Sequence, residues 1–132
     1  MERMALAVIN GKARYLHMSV EVLFDVYDKY GSVEKALEIM QPDTKESFEV
    51  LRFLAVEMAN SAELYRRSAG YDHSPFIEEK DISIHMSPAT YMALKESVCQ
   101  AITMGFKQEQ TSEDEEQDLG LAELRKKENA GT

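Results

Sequence analysis

The segment from Pro42 to Gly70 constrains the fold more than any other part of the chain, because it reads as one uninterrupted amphipathic helix. Phe48, Leu51, Ala55, Met58, Ala62, Tyr65 and Ala69 recur at spacings of three and four, which places them on one face. Leu54 widens that stripe, while Glu49, Arg52, Glu57, Glu63 and Arg66 fall mainly away from it. After Pro42, Asp43 with Glu46 three residues on suits the free amides of a first helical turn. Gly70 supplies the stop, and Arg66 and Arg67 suit the negative end of the helix dipole. At about 1.5 Å per residue such a helix spans roughly 40 Å, the width of a small domain. The other elements are too short to stand alone and are expected to pack on its stripe.

A chain of 132 residues is long enough for one domain with a hydrophobic core. No apolar run approaches the ~18 to 20 residues needed to span a bilayer. The apolar run near the start, in MERMALAVINGK, is too short for a signal-peptide core. The expectation is a cytoplasmic protein that does not engage membranes. Net charge is -9, from 24 acidic and 15 basic residues. That field repels phosphate backbones, so nucleic acid is not an expected partner. Bases cluster only at Arg66-Arg67 and Arg125-Lys126-Lys127. The single cysteine, Cys99, forms no intrachain disulfide and reads as a buried, inert thiol beside Val98 and Ala101-Ile102.

Taken in order, ALAVIN and ARYLHM flank Asn10-Gly11, the strongest two-residue hairpin signal, so Ala5 to Met18 is predicted to be a β-hairpin. Ser19 can cap a helix to about Tyr30, with Val20, Leu23, Phe24 and Tyr27 on its apolar face. Gly31 ends it, and Ser32 caps a short helix carrying Val33, Ala36, Leu37 and Met40. Past Gly70, Pro75 and several charges suggest a loop with at most a short turn of helix or strand, around Ile82 and Ile84. Ser87-Pro88 then starts a helix carrying Tyr91, Leu94, Val98, Ala101, Ile102 and Gly105, to about Phe106.

From Lys107 the character changes to QEQTSEDEEQD, a block with no apolar residue that reads as a flexible, solvated tail. Leu119, Leu121 and Leu124 are its only apolar anchors. The expected architecture is therefore mainly α, in an α+β arrangement. An N-terminal hairpin and about four helices form one globular domain over 1–106, and 107–132 forms the acidic tail.

Chemistry-bearing constellations are scarce. His17, His73 and His85 are far apart and form no ligand-spaced motif, so no metal site is expected. Glu113, Asp114, Glu115, Glu116 and Asp118 lack the glycine and ligand alternation of a calcium loop. They read as a repulsive solvated run or as an electrostatic contact for a basic partner. No phosphate loop or nucleophile elbow occurs, and no cofactor or catalytic role is expected. Residues 19–40 have the outline of a helix-turn-helix, which makes a transcriptional regulator the alternative. Its second helix offers Glu34, Lys35 and Glu38, a net negative face where a DNA reader needs Arg, Lys, Asn or Gln. The eight methionines mostly fall near apolar stripes and read as core filling, although methionine also suits adaptable binding surfaces.

The order of these pieces resembles a known family. A VINGK hairpin (Val8 to Lys12) leads to a helix ending KYGS (Lys29 to Ser32), then ALEIM and a long helix. SPATYMALKESVCQAITMG (Ser87 to Gly105) and a charged tail containing LGLAEL follow. This is similar to the small tail assembly chaperones of long-tailed bacteriophages and prophages of Gram-positive bacteria. The resemblance implies a non-enzymatic protein of the bacterial host cytoplasm that coats the tape-measure protein and keeps it soluble. It also implies help for tail-tube subunits polymerising around that client, and a longer form made by frameshifting. Self-association is a further expectation. The apolar surface left open for such partners would be part of the long helix's stripe, the hairpin edge or the final core helix.

Overall fold

Asn10 and Gly11 both adopt positive φ, 56° and 75°, the backbone that a two-residue hairpin turn requires. They join β1 (Ala5–Ile9) to β2 (Lys12–Leu16), paired antiparallel from Ala5↔Leu16 to Ile9↔Lys12. The computed structural model describes residues 4–116. Five helices follow the hairpin: α1 (Val20–Tyr30), α2 (Val33–Met40), α3 (Lys45–Ser68), α4 (Glu79–His85) and α5 (Pro88–Glu116). The mainly α fold with an N-terminal hairpin is as the sequence indicates, with α4 added where only a turn was expected.

The caps explain most boundaries. The Ser19 hydroxyl accepts from the Val22 amide and the Ser32 hydroxyl from the Lys35 amide. Gly31, at φ 94°, ends α1 by donating its amide to the Tyr27 carbonyl. For α3 the cap is Thr44, whose hydroxyl accepts from the Ser47 amide, and not the expected Asp43. Asp43 lies one residue outside the cap position, and its carboxylate accepts instead from the Tyr91 hydroxyl and from Lys95 Nζ. Lys95, followed by Tyr91, holds its pKa below the ordinary carboxylate value. Gly70, at φ 90°, lets the chain turn so that the Tyr71 amide donates to the Arg66 carbonyl. Glu78 and Asp81 cap α4 reciprocally, which places His85 in a helix and not in the expected loop.

α3 lies at the centre, with β2, α1, α2, α4 and α5 all packed on it. Val50, Leu51, Leu54, Ala55, Met58, Ala59 and Ala62 are buried along it. The stripe is thus displaced from the expected one. Val50 and Ala59 join it, Phe48 is half-buried, and Tyr65 and Ala69 are exposed. Ser47 is buried without penalty, because its hydroxyl donates to the Ile39 carbonyl at 2.7 Å.

β1 packs chiefly on α5, and β2 on α3; a two-stranded sheet needs such support. Leu94, Val98, Ala101 and Ile102 form the buried face of α5. Cys99 lies on its exposed side, a correction to the buried thiol expected, because residue 99 faces away from the 94–98–101–102 stripe. At Gly105 the helix passes so close to the β2–α1 junction that an added Cβ would lie 2.6 Å from Met18 Cβ. α5 then continues to Glu116, beyond the expected end near Phe106. Lys, Gln and Glu are good helix formers, so the loss of apolar residues does not by itself end a helix.

The largest departure concerns α1. Val22 and Val26 are its buried residues, while Val20, Phe24 and Tyr27, expected to face the core, are 66%, 56% and 42% exposed. Leu23 and Tyr30 sit half-buried between the two faces. The helix is apolar around most of its circumference, and periodicity alone could not say which stripe turns inward.

Candidate binding surfaces

Three features of the described residues carry binding or electrostatic character. The first is an apolar groove between the hairpin and α5. Strand alternation sends Ala5, Ala7 and Ile9 inward and leaves Leu6 and Val8 outward, 55% and 61% exposed. Register places Ala13 opposite Val8 and Tyr15 opposite Leu6, continuing the outward surface across both strands. Ala93, Leu94, Thr90 and Ser97 of α5 close the other wall, enclosing about 290 Å³ with Leu6, Ala7, Val8 and Ala13. Met92, also exposed, lies one residue along α5 from this wall. Small residues on the helix side leave room for side chains entering from outside.

The second feature is the outward stripe of α1. The Phe24 and Tyr27 rings meet edge-to-face with centroids 5.7 Å apart, and Val20 lies one turn earlier on the same side. Glu21, Asp25 and Asp28 run along the adjacent flank of this helix. Across a depression lined by Ser19, Glu21, Asp25, Glu57, Asn60, Ser61 and Leu64, α3 presents Glu57. Burial at the seam, then a hydrogen bond to Asp25 and the charges of Asp25 and Glu21, push the Glu57 carboxyl up to about 7.

The third feature is a buried acid. Glu63, expected on the solvent side of α3, is only 3% exposed. Its carboxylate accepts from Arg66 Nη1 at 2.8 Å, Arg67 Nε at 2.9 Å and the Ser74 amide at 2.7 Å. The two arginines reach on to the Asp72 and Ser74 carbonyls, and Arg67 stacks on Phe76 at 4.1 Å. One turn earlier, Asn60 exchanges two hydrogen bonds with the Ile77 backbone. The whole 71–77 connection is thus laced onto α3. Burial pushes the Glu63 pKa up, but the Ser74 amide, Arg67 and Arg66 outweigh it and leave the value below the ordinary carboxylate range. The sequence hint was Glu63 at i−3 and i−4 from two arginines, a spacing also common on solvated helix faces.

The remaining sequence candidates are dispersed. His17 follows β2, stacks edge-on against Tyr65 and has Ser61 Oγ 3.2 Å from its Nδ1; burial lowers its pKa. His73 is exposed in the 71–77 connection. Among the described residues no cluster of His, Cys, Asp or Glu could hold a metal ion. No helix among them is long and apolar enough to cross a membrane. Cys99 keeps a raised pKa through partial desolvation, opposed by Lys95. On α2 the exposed polar residues are Glu34, Lys35 and Glu38. Met40 and Met58 fill the core, and Met86 and Met104 are half-buried against it. Glu113, Asp114, Glu115 and Glu116 fall on the last turns of α5, and Asp118 lies outside the described residues. No protein-family model, curated protein or solved structure matches the chain.

Proposed function

We propose that this chain is a tail assembly chaperone of a long-tailed bacteriophage or prophage, acting in the host cytoplasm without catalysis. Its client is the tape-measure protein, and its second partner is the tail-tube subunit. The observation that carries the reading is the open apolar groove between Leu6 and Val8 of the hairpin and Ala93 of α5. A long helical client presents apolar stripes before the tube encloses it, and an amphipathic helix laid into an apolar groove is a common recognition mode. The net charge of -9 supports a solubilising role. The alternative of a helix-turn-helix regulator is less well supported, since Glu34 and Glu38 outnumber Lys35 on the exposed face of α2.

The test is co-expression with the tape-measure protein encoded by the same phage or prophage, followed by pull-down and size exclusion. The wild-type chain should keep the client soluble in a complex with several copies of the chaperone. Val8→Asp, at an exposed strand position, should leave folding intact and abolish co-purification. An insoluble client with the wild-type chain would sink the chaperone reading, and full retention by Val8→Asp would remove the groove from it.

A further inference from the structure

We propose that the pocket between the free edge of β2 and the C-terminal half of α3 binds a small oxyanion, a phosphate or a carboxylate. It is separate from the groove between β1 and α5, and the inference stands whether or not the client reading does. The pocket encloses about 230 Å³, with the small side chains of Ala59 and Ala62 on α3 leaving room inside it. Strand parity decides which side chains enter. Lys12 and Arg14 share a face of β2 with the buried Leu16. Their cross-strand partners Ile9 and Ala7 are buried on that same face. Two bases thus stand on the core-facing side of the hairpin, where the pattern calls for apolar residues, and both line the pocket. Neither forms an ion pair among the described residues. Arg14 is half-buried and spends one Nη1 donor on the Pro75 carbonyl at 2.8 Å, which leaves the rest of its guanidinium available.

Backbone amides supply a second set of donors. Asn10-Gly11 closes a two-residue turn, so Ile9↔Lys12, Ala7↔Arg14 and Ala5↔Leu16 are the hydrogen-bonded pairs of the hairpin. The amides of Ala13, Tyr15 and His17 therefore point away from β1. That of His17 donates to the Met58 carbonyl at 3.0 Å, so this edge faces α3. Ala13 and Tyr15 line the pocket, and their amides have no partner outside the hairpin among the described residues. Unpaired amides at a sheet edge are an anion-binding element. Arg66 adds a third base from α3. The carboxylate in the wall, Glu63, already accepts from Arg66, Arg67 and the Ser74 amide. Arg66 makes these bonds through Nη1, and its Nε and Nη2 have no partner among the described residues. Three bases face one occupied acid in a chain of net charge -9, so the attraction for an anion is local to this pocket. Guanidinium forks match the oxygens of phosphate and carboxylate alike, and Lys12 adds a point charge.

The experiment titrates the full chain, labelled with ¹⁵N, with inorganic phosphate and separately with sodium acetate. Ionic strength is held constant with sodium chloride in a buffer free of oxyanions. The Ala13 and Tyr15 amide signals should move downfield and saturate, with a half-saturating concentration on the order of millimolar for three charge-assisted contacts. Saturation by phosphate at the lower concentration assigns the pocket to a phosphate-bearing ligand, and saturation by acetate at the lower concentration assigns it to a carboxylate. Lys12→Gln combined with Arg14→Gln should raise the half-saturating concentration at least tenfold. Lys35→Gln combined with Lys45→Gln, which removes the same charge from α2 and the start of α3, should leave it unchanged. The wild-type titration decides the matter even if a variant folds poorly. Amide shifts that stay linear up to about 50 mM of either anion, far above the expected range, would overturn the proposal. Saturation that survives the loss of Lys12 and Arg14 in a folded variant would overturn it equally.

Discussion

Replacing Glu63 by alanine tests the most unexpected element of the interior. The substitution removes one carboxylate that accepts three hydrogen bonds at 2.7 to 2.9 Å, from Arg66, Arg67 and the Ser74 amide. Breaking a fully buried ion pair from one side costs about 3 to 5 kcal/mol. Here the arginine side chains are 23% and 26% exposed and keep their bonds to the Asp72 and Ser74 carbonyls, so both can rehydrate in part. The unrelieved loss is the Ser74 amide, about 1 to 3 kcal/mol for a buried donor without a partner, together with part of each charge-assisted bond. The expected destabilisation is about 2 to 4 kcal/mol. With a urea slope of about 1.5 kcal/mol/M, the unfolding midpoint should fall by roughly 1.3 to 2.7 M at unchanged slope. Hydrogen exchange should accelerate at Ser74 and Ile77, whose amides are held by Glu63 and Asn60, before it does in the core. Glu63→Gln, which preserves shape and one acceptor, should lie between. A midpoint shift below about 0.3 M would mean that Glu63 behaves as a solvated surface acid, and the argument from its burial would be wrong.

The two perturbed carboxyls should give opposite pH windows. The folded Glu63 pKa is depressed, so its contribution is complete above the ordinary value of 4.5 and is lost as pH falls through the lower folded value. Glu57, raised from 4.5 to about 7, contributes fully below 4.5 and loses that contribution as pH rises through about 7. Glu57→Gln should therefore stabilise the protein at pH 8 and flatten the slope between those values; an unchanged slope in urea titrations would exclude the Glu57–Asp25 seam as its source. Gly105→Ala brings a methyl within 2.6 Å of Met18 Cβ and 3.1 Å of the Met18 carbonyl oxygen, neither of which is a flexible chain end. Overpacking of about 1 to 3 kcal/mol should exceed the gain of about 1 kcal/mol in helix propensity, so thermal unfolding should show a lower midpoint. Replacing Glu113, Asp114, Glu115, Glu116 and Asp118 by serine should weaken client solubilisation in co-expression, and equal solubility would remove that run from the mechanism.

Local chemistry is what the sequence determined by itself. Asn10-Gly11 accepts positive φ at both positions, Ser19 and Ser32 offer hydroxyls to free amides, and Gly31 and Gly70 release the helices they follow. These are properties of a few adjacent atoms, so they hold wherever the elements are placed. The central role of α3 was legible for a related reason, since a 24-residue apolar-striped helix leaves its neighbours little else to pack on. Tertiary structure decided which faces turn inward. On α1, Val22–Val26 and Val20–Phe24–Tyr27 are both acceptable apolar stripes, and the choice followed from how the hairpin delivers the chain to Ser19, whose hydroxyl accepts from Ser61 of α3. Glu63 departs from its sequence pattern for the converse reason. Its pairing with Arg66 and Arg67 is local, but its burial is not: the 71–77 connection folds back over α3 and supplies the Ser74 amide from eleven residues away. Cys99 and the open groove beside Val8 follow the same logic. A pattern along the chain lists the side chains able to be buried, and the packing of distant segments selects among them.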